Sequence, residues 1–407
     1  MKVLYLVDKY PNSSQPKRGK YPAIREMMLA KGWSVYMVAF AAQKSNSSWK
    51  WEHNMLTSEK LKKVSSYVIK NFLYHNLVDF AQLFFRRWFN RLNLSKVIGK
   101  LVYFEVKLRV EHLILDNGIP DIIHLYGTQA HTSFLGSKLA SHFAEKYKIP
   151  LVFNVHGSDG YSFKVGEIPK PIMDCFRKSR VFVPVSEPLA HYWQSLASEI
   201  RNLKMEVVPN PVSDKVFHFQ EKSNKEKAFN IVHISTLDSN KNIDVIIKAF
   251  DQFNREVPHS NLTLIGNKNL DAKAKLRLKE STNASAISVL GKKSRKELAQ
   301  ILMQSHLYLQ ASTLETFGIP IVEAMMCGIP VLVTRSGAPE SYITENSGIV
   351  LDAPNADEMG KAILKIYSNY HNFNGKKIRA YAVEKFNEEA VANQLNSLYK
   401  KTILNGA

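Results

Sequence analysis

Short apolar runs alternate with longer segments of helical period along nearly the whole chain, and the alternation is interrupted once. That is the pattern of repeated strand–helix units, which build a mainly parallel sheet. In the first half, Val3–Val7, Ser34–Phe40, Ile122–Tyr126, Leu151–Val155, Val181–Val185 and Glu206–Val208 read as strands. The second half restarts with Phe229–Ile234, Leu262–Ile265, Ile287–Leu290, Leu307–Gln310, Val331–Thr334 and Ile349–Leu351. Between them lies VVPNPVSDKVFHFQEKSNKEKAF, where Pro209 and Pro211 stop the preceding strand and the charged run Glu221–Lys227 reads as linker. At 407 residues the chain exceeds the roughly 250–300 residues that one core sustains, so two doubly wound α/β domains are expected, over 1–212 and 213–385. A final helix, about 386–407, places Val391, Leu395, Leu398 and Tyr399 at helical spacing. Two such domains leave a cleft between the carboxyl ends of facing strands, where open α/β sheets bind ligands.

Charge narrows the partners less than it first promises. The chain has 55 Lys and Arg against 36 Asp and Glu, a net +19, but residues 11–110 hold 18 basic and 5 acidic residues and so carry +13 of it. The same stretch holds Trp33, Trp49, Trp51 and Trp88. A basic patch interleaved with aromatics fits nucleic acid, anionic lipid or an anionic substrate alike. Between Phe80 and Phe104, Gln82, Arg86, Asn90, Asn93, Lys96 and Lys100 recur every three or four residues while Phe84, Phe85, Trp88, Phe89 and Leu92 fill other faces. This reads either as a core-packed helix with a solvated cationic face or as a surface for anionic lipid, spread over the aromatic region 67–110. The start, MKVLYLVDKYPNSS, is too short in apolar residues for a signal core or a span, and Cys175 and Cys327 fit no metal or disulfide spacing. The expectation is a protein of the cytosol or of the cytosolic side of a membrane surface.

The most informative segment is LYLQASTLETFGIPIVEAMMCGIPVLVTRSGAPE, residues 307–340, which reads as strand, loop, helix, strand. Pro320 suits the start of a helix and Gly328 the residue past its end, predicting a helix from Pro320 to Cys327. The loop Thr316, Phe317, Gly318, Ile319 leads into free amides at a positive dipole end, and the glycine allows a phosphate close to the backbone. Glu315 and Glu323, eight positions apart, are placed to accept hydroxyls beside such a phosphate. By spacing alone they read equally as a solvated loop charge and a first-turn acid favoured by the dipole.

The complete string, a glutamate pair enclosing FGIP and followed by EAMMCGIPV, resembles the retaining GT-B glycosyltransferases of family 4. Looser likeness runs through 207–400, in VVPNPV, STLDSNKN, LIGN and the Phe386–Tyr399 segment. The resemblance implies a GT-B architecture of two Rossmann-like domains, the C-terminal helix packing back toward the N-terminal domain. It implies that Glu315 lies against a donor sugar and that Glu323, with Phe317, Gly318 and Ile319, binds the nucleotide. In STLDSNKN relatives carry an arginine and then a lysine for the donor diphosphate; this chain has Thr236 and Lys241. HGSD after Leu151–Val155 resembles the loop whose histidine contacts the donor sugar, here His156, and KRGKY resembles the loop whose glycine underlies the phosphates, here Gly19.

The reaction so implied is transfer of a hexosyl group from a UDP- or GDP-linked sugar to a glycan or lipid-linked acceptor. Configuration is retained by front-face substitution in which the departing phosphate helps deprotonate the acceptor. No Asp-x-Asp pair occurs, so neither metal nor cofactor is expected. A GT-B-shaped sugar-nucleotide epimerase is an alternative. Nucleic-acid binding is a weaker one, because no zinc spacing, helix-turn-helix cue or RNA-recognition signature accompanies the charge and the glutamate pair would have no purpose.

Overall fold

The computed structural model describes residues 1–7, 20–39, 43–44, 49–50, 94–127, 133–156, 161, 163–221, 228–266 and 269–405. Gly19, residues 67–93 of the basic aromatic region, Gly157–Asp159 and most of the charged linker lie outside them. The chain divides into two compact units, the first Met1–Val183, Trp193–Glu206 and Asn396–Ala407, the second Pro184–Tyr192 and Val207–Leu395.

In the first unit the strands are β1 (Lys2–Val7), β2 (Ser34–Ala39), the small antiparallel pair β3 (Gln43–Lys44) and β4 (Trp49–Lys50), then β5 (Ile122–Tyr126), β6 (Leu151–Val155) and β7 (Ser179–Pro184). The main sheet has the order β2-β1-β5-β6-β7, with β1 parallel to both β2 and β5 and β5 parallel to β6. Val3 to Val7 are wholly buried, as continuous apolar strands must be when helices cover both faces. One expected strand is absent. Residues 205–208 run beside β7 through a bridge from Met205 to Phe182 and the bonds Glu206 N to Phe182 O and Val208 N to Pro184 O. Pro209 and Pro211 follow without N–H donors, and the pairing stops there.

The second unit holds β8 (Phe229–Ser235), β9 (Ser260–Gly266), β10 (Ile287–Leu290), β11 (Leu307–Gln310), β12 (Val331–Thr334) and β13 (Gly348–Leu351), in the order β10-β9-β8-β11-β12-β13. Every neighbour pairing in this sheet is parallel. The core beneath it joins Ile231, Leu262, Leu264, Leu307, Leu309 and Leu332 to Ile246, Ile247, Phe250 and Phe253 of the helix Ile243–Glu256. From β8 the chain winds outward to β9 and β10, then returns to place β11 on the other flank of β8. The loops leaving β8 and β11 therefore lie side by side at the switch point, where doubly wound sheets bind ligands.

The C-terminal segment forms two helices, Gly375–Phe386 and Glu388–Leu404, divided at Asn387, whose side-chain oxygen accepts from Ala390 N at 2.7 Å. Val391, Leu395, Leu398 and Tyr399 are all buried. The division between the two units falls within the last helix, after Leu395. There the Tyr399 hydroxyl lies 2.9 Å from that of Tyr5, and the Trp33 indole donates to Asn396 at 3.0 Å. Among the described residues no helix is long and apolar enough to cross a membrane.

Candidate functional site

The helix after β11 runs Ile319–Met326, one residue earlier than its proline and glycine signals predict. Gly318 is its N-cap with φ +80°, a left-handed conformation that favours glycine. A Cβ there would lie 2.7 Å from Ile321 Cδ1 and 3.1 Å from the Tyr342 hydroxyl. The first helical bonds run from Ile321 and Val322 N–H to Gly318 O. Pro320 has no N–H, so the amides of Gly318 and Ile319 are what this helix end presents. The Phe317 ring does not face the loop's exterior: it is buried 5.7 Å from both Tyr342 and Phe386. Its carbonyl accepts the Tyr342 hydroxyl at 2.5 Å, and Thr316 O accepts the Ser186 hydroxyl at 2.8 Å. The loop thus contributes backbone, held from behind by side chains.

Glu315 sits in that loop with one oxygen heavily engaged. Oε1 accepts from Lys241 Nζ at 2.5 Å, Gln310 Nε2 at 2.8 Å and Ser312 Oγ at 2.9 Å. Lys241, expected as a cation for phosphate, is therefore ion-paired with the expected sugar ligand. The two loops are laced together around the pair. Asn240 donates to Leu314 O and accepts from Thr313 Oγ1 and, through its carbonyl, from Thr313 N; Asn242 donates to Ala311 O. Glu340 fixes the facing turn by accepting from the amides of Ser336 and Gly337, while Glu315 N and O bond Ser336 O and Ala338 N.

Thr236, standing where relatives are expected to carry arginine, donates its hydroxyl to Asp238. The loop is turned by Leu237 and Asn242, both non-glycine residues at positive φ, +57° and +46°. His233 underlies it: Nε2 lies 2.7 Å from Ser235 Oγ, which accepts from Leu237 N, and burial pushes its imidazole down to about 4. It stays neutral at physiological pH and serves as scaffold.

Glu323 differs from expectation in depth. It lies in the second turn of its helix, beyond the reach of the dipole at the first, and it is buried. Burial pushes its carboxyl up to about 7, against the pull of Arg295, whose guanidinium is 2.9 Å from Oε1. Arg295 was not legible as a site residue, because the pairing joins helices that are distant in sequence.

In the first unit His156 directly follows β6 and is buried, its ring stacked 4.9 Å from Tyr126, which stacks in turn on His124 at 4.0 Å. His124 Nδ1 meets the Tyr399 hydroxyl at 2.5 Å, so the last helix braces the layer beneath His156.

Residues 214–386 match the family described as glycosyl transferases group 1. The chain is similar to N-acetyl-alpha-D-glucosaminyl L-malate synthase of Bacillus anthracis, 24% identical over 294 residues, 69% of this chain and 74% of that one. It is also similar to the probable sucrose-phosphate synthase of Thermosipho melanesiensis, 27% identical over 49% of this chain and 48% of that one, so the match spans about half of that relative's length. Among solved structures, sucrose-phosphate synthase of Thermosynechococcus elongatus superposes with a TM-score of 0.69 at 16% identity over 100% of both chains. HepE of Anabaena, solved with UDP, gives 0.68 at 14% identity over 98% of this chain and 100% of that one. These likenesses show a GT-B fold, and the chain carries a glycosyl transferases group 1 domain over residues 214–386.

Proposed function

We propose that this protein transfers a hexosyl group from a nucleotide sugar to a glycan or lipid-linked acceptor, with retention of configuration. The observation that carries the reading is the arrangement around Gly318: two presented amides at a helix N-terminus, with the Lys241–Glu315 pair on the adjoining loop and the buried Glu323 inside the helix. In this reading the amides and the Lys241 ammonium receive the diphosphate, and Glu315 and Glu323 accept hydroxyls of the sugar and the ribose. The bond from the anomeric carbon to phosphate breaks with its electron pair leaving on the diphosphate. The acceptor oxygen bonds to that carbon on the same face, and its proton passes to the departing phosphate. Lys241 lowers the barrier by stabilising charge that grows as the bond breaks. His156 is assigned to the donor sugar near the reacting carbon.

Binding of UDP and UDP-glucose by HepE supports a nucleotide-sugar donor here. A thermal-shift screen against UDP, GDP, ADP and their sugars tests the reading: stabilisation by one nucleotide family is expected, and no shift with any would overturn it.

The second part of the proposal is a peripheral position on an anionic membrane from the cytosolic side. The helix Leu94–Asn117 exposes Phe104 at 59%, Leu108 at 42% and Leu115 at 76% within the basic half of the chain. Apolar side chains among lysines are what an interfacial helix presents to lipid. Salt-sensitive pelleting with anionic but not neutral vesicles is expected, and equal pelleting with both would contradict it.

A further inference from the structure

We infer that Arg295 is a positioning residue for nucleotide binding: it holds the Glu323 carboxylate charged and in one orientation, and Phe217 holds Arg295 in turn. The inference rests on the reading of Glu323 as the ribose ligand and concerns what makes that ligand competent.

Arg295 opens the helix Arg295–Gln304, where a positive charge faces the positive end of the dipole. Helix formation gives no reason for it. The end is already satisfied by a capping box in which Ser294 and Glu297 exchange hydrogen bonds. What the arginine gains lies elsewhere, in the 2.9 Å contact with Glu323 and in the face of the Phe217 ring, 4.8 Å below the guanidinium.

Exposure of the two partners is unequal: the Glu323 side chain is 4% exposed and that of Arg295 42%. The guanidinium is hydrated with or without its partner, whereas the carboxylate loses most of its solvation, so the pairing chiefly supports the acid. Both anchors are tied to one further group. Arg379 donates to Phe217 O at 2.8 Å, to Met326 O at the end of the Glu323 helix at 2.7 Å, and to Asp214 O at 3.1 Å. The ring under Arg295 and the helix bearing Glu323 are therefore fixed to the same guanidinium.

Among the described residues, the ionisable groups on and around this helix include Tyr308 on β11, Tyr342 behind the loop, Glu315 with its partner Lys241, Cys327 at the helix end, and Arg379. Burial keeps both phenols neutral, and Arg295 supplies the charge that counts at Glu323. A vicinal diol donates two hydroxyls, one to each oxygen of a carboxylate; a protonated acid offers one acceptor fewer. Ribose binding through Glu323 should thus follow its ionisation.

The test is equilibrium binding of UDP-glucose and GDP-mannose from about pH 5.5 to about pH 8.5, a window in which a diphosphate diester keeps its charge, so that the profile reports the protein. Wild type should lose affinity below about 7. In Arg295→Met the break should move up by about one pH unit or more, giving about tenfold weaker binding at neutral pH that recovers as pH rises. Arg295→Lys should restore part of the shift, and Phe217→Leu should give a smaller shift of the same sign. A Glu323→Gln background should remove the pH dependence and the effect of Arg295→Met on it. If Arg295→Met leaves binding unchanged, or weakens it equally at every pH, while Glu323→Gln still weakens it, the inference is overturned and the nucleotide reading stands. If wild type binds neither sugar nucleotide, the reading fails and the inference with it.

Discussion

Lys241 Nζ lies 2.5 Å from Glu315 Oε1, across 74 residues of sequence, and the two side chains are only 12% and 15% exposed. In the proposed reading, the cation meant for a leaving diphosphate is thereby held against the acid meant for sugar hydroxyls. Donor binding would have the diphosphate compete with Glu315 for the ammonium. Lys241→Met should lower kcat/KM by about 100- to 1000-fold, the range for loss of a charge-stabilising group. It should also cost about 1–3 kcal/mol of stability by leaving Glu315 with neutral donors alone. Steady-state kinetics and denaturant melts check both; wild-type turnover would remove Lys241 from the mechanism.

Gly318→Ala combines a left-handed φ of +80° with a Cβ 2.7 Å from Ile321 Cδ1. The expected outcome is a loss of about 1–2 kcal/mol in stability and a larger proportional loss in nucleotide affinity, since the presented amides would shift. Calorimetric titration against the nucleotide identified by the thermal-shift screen measures the second.

Tyr342→Phe removes the hydroxyl that holds Phe317 O while keeping the ring against Phe317 and Phe386. Stability should fall by about 0.5–1.5 kcal/mol, a typical hydrogen bond. Nucleotide affinity should fall with it; unchanged affinity would show that the loop holds its shape without this contact.

The Glu323 carboxyl gives a pH signature to folding itself. Its folded value, about 7, lies above the ordinary 4.5. The native state therefore binds the extra proton, and the group's contribution to stability falls as pH rises from about 4.5 to about 7 and is level beyond it. Glu323→Gln should be more stable than wild type at pH 8, by of order 1–3 kcal/mol, with the advantage vanishing near pH 4. The same variant should bind nucleotide more weakly. Urea melts at both pH values decide the matter, and a pH-independent difference would contradict it.

How much of this was legible in the sequence depends on the range of the interaction. β1, β5, β6, β11 and β12 were readable because a strand buried on both faces needs a continuous apolar run, and the Pro320 and Gly328 signals gave the helix to within a residue. Residues 206–208 have the composition of a strand, but the prolines after them end the ladder. Glu315 and Glu323, and Lys241 in STLDSNKN, are proposed from the local strings that hold them. Their partners were not legible there: Gln310 and Ser312 look like ordinary strand and loop residues, and Arg295 like a solvated helix charge, because only the packing of β11 and two helices shows what they touch. The depth of Glu323 was missed for the same reason. Helical spacing gives a residue's face, while its burial is set by what covers that face.

The central claim is that a nucleoside diphosphate rests on the amides at 318 and 319. A cocrystal with the intact sugar nucleotide tests it most directly. The account predicts the diphosphate against the N–H groups of Gly318 and Ile319 and beside Lys241, with the ribose hydroxyls on Glu323. Density for the diphosphate away from this helix end, with Glu323 still turned wholly to Arg295, would contradict it.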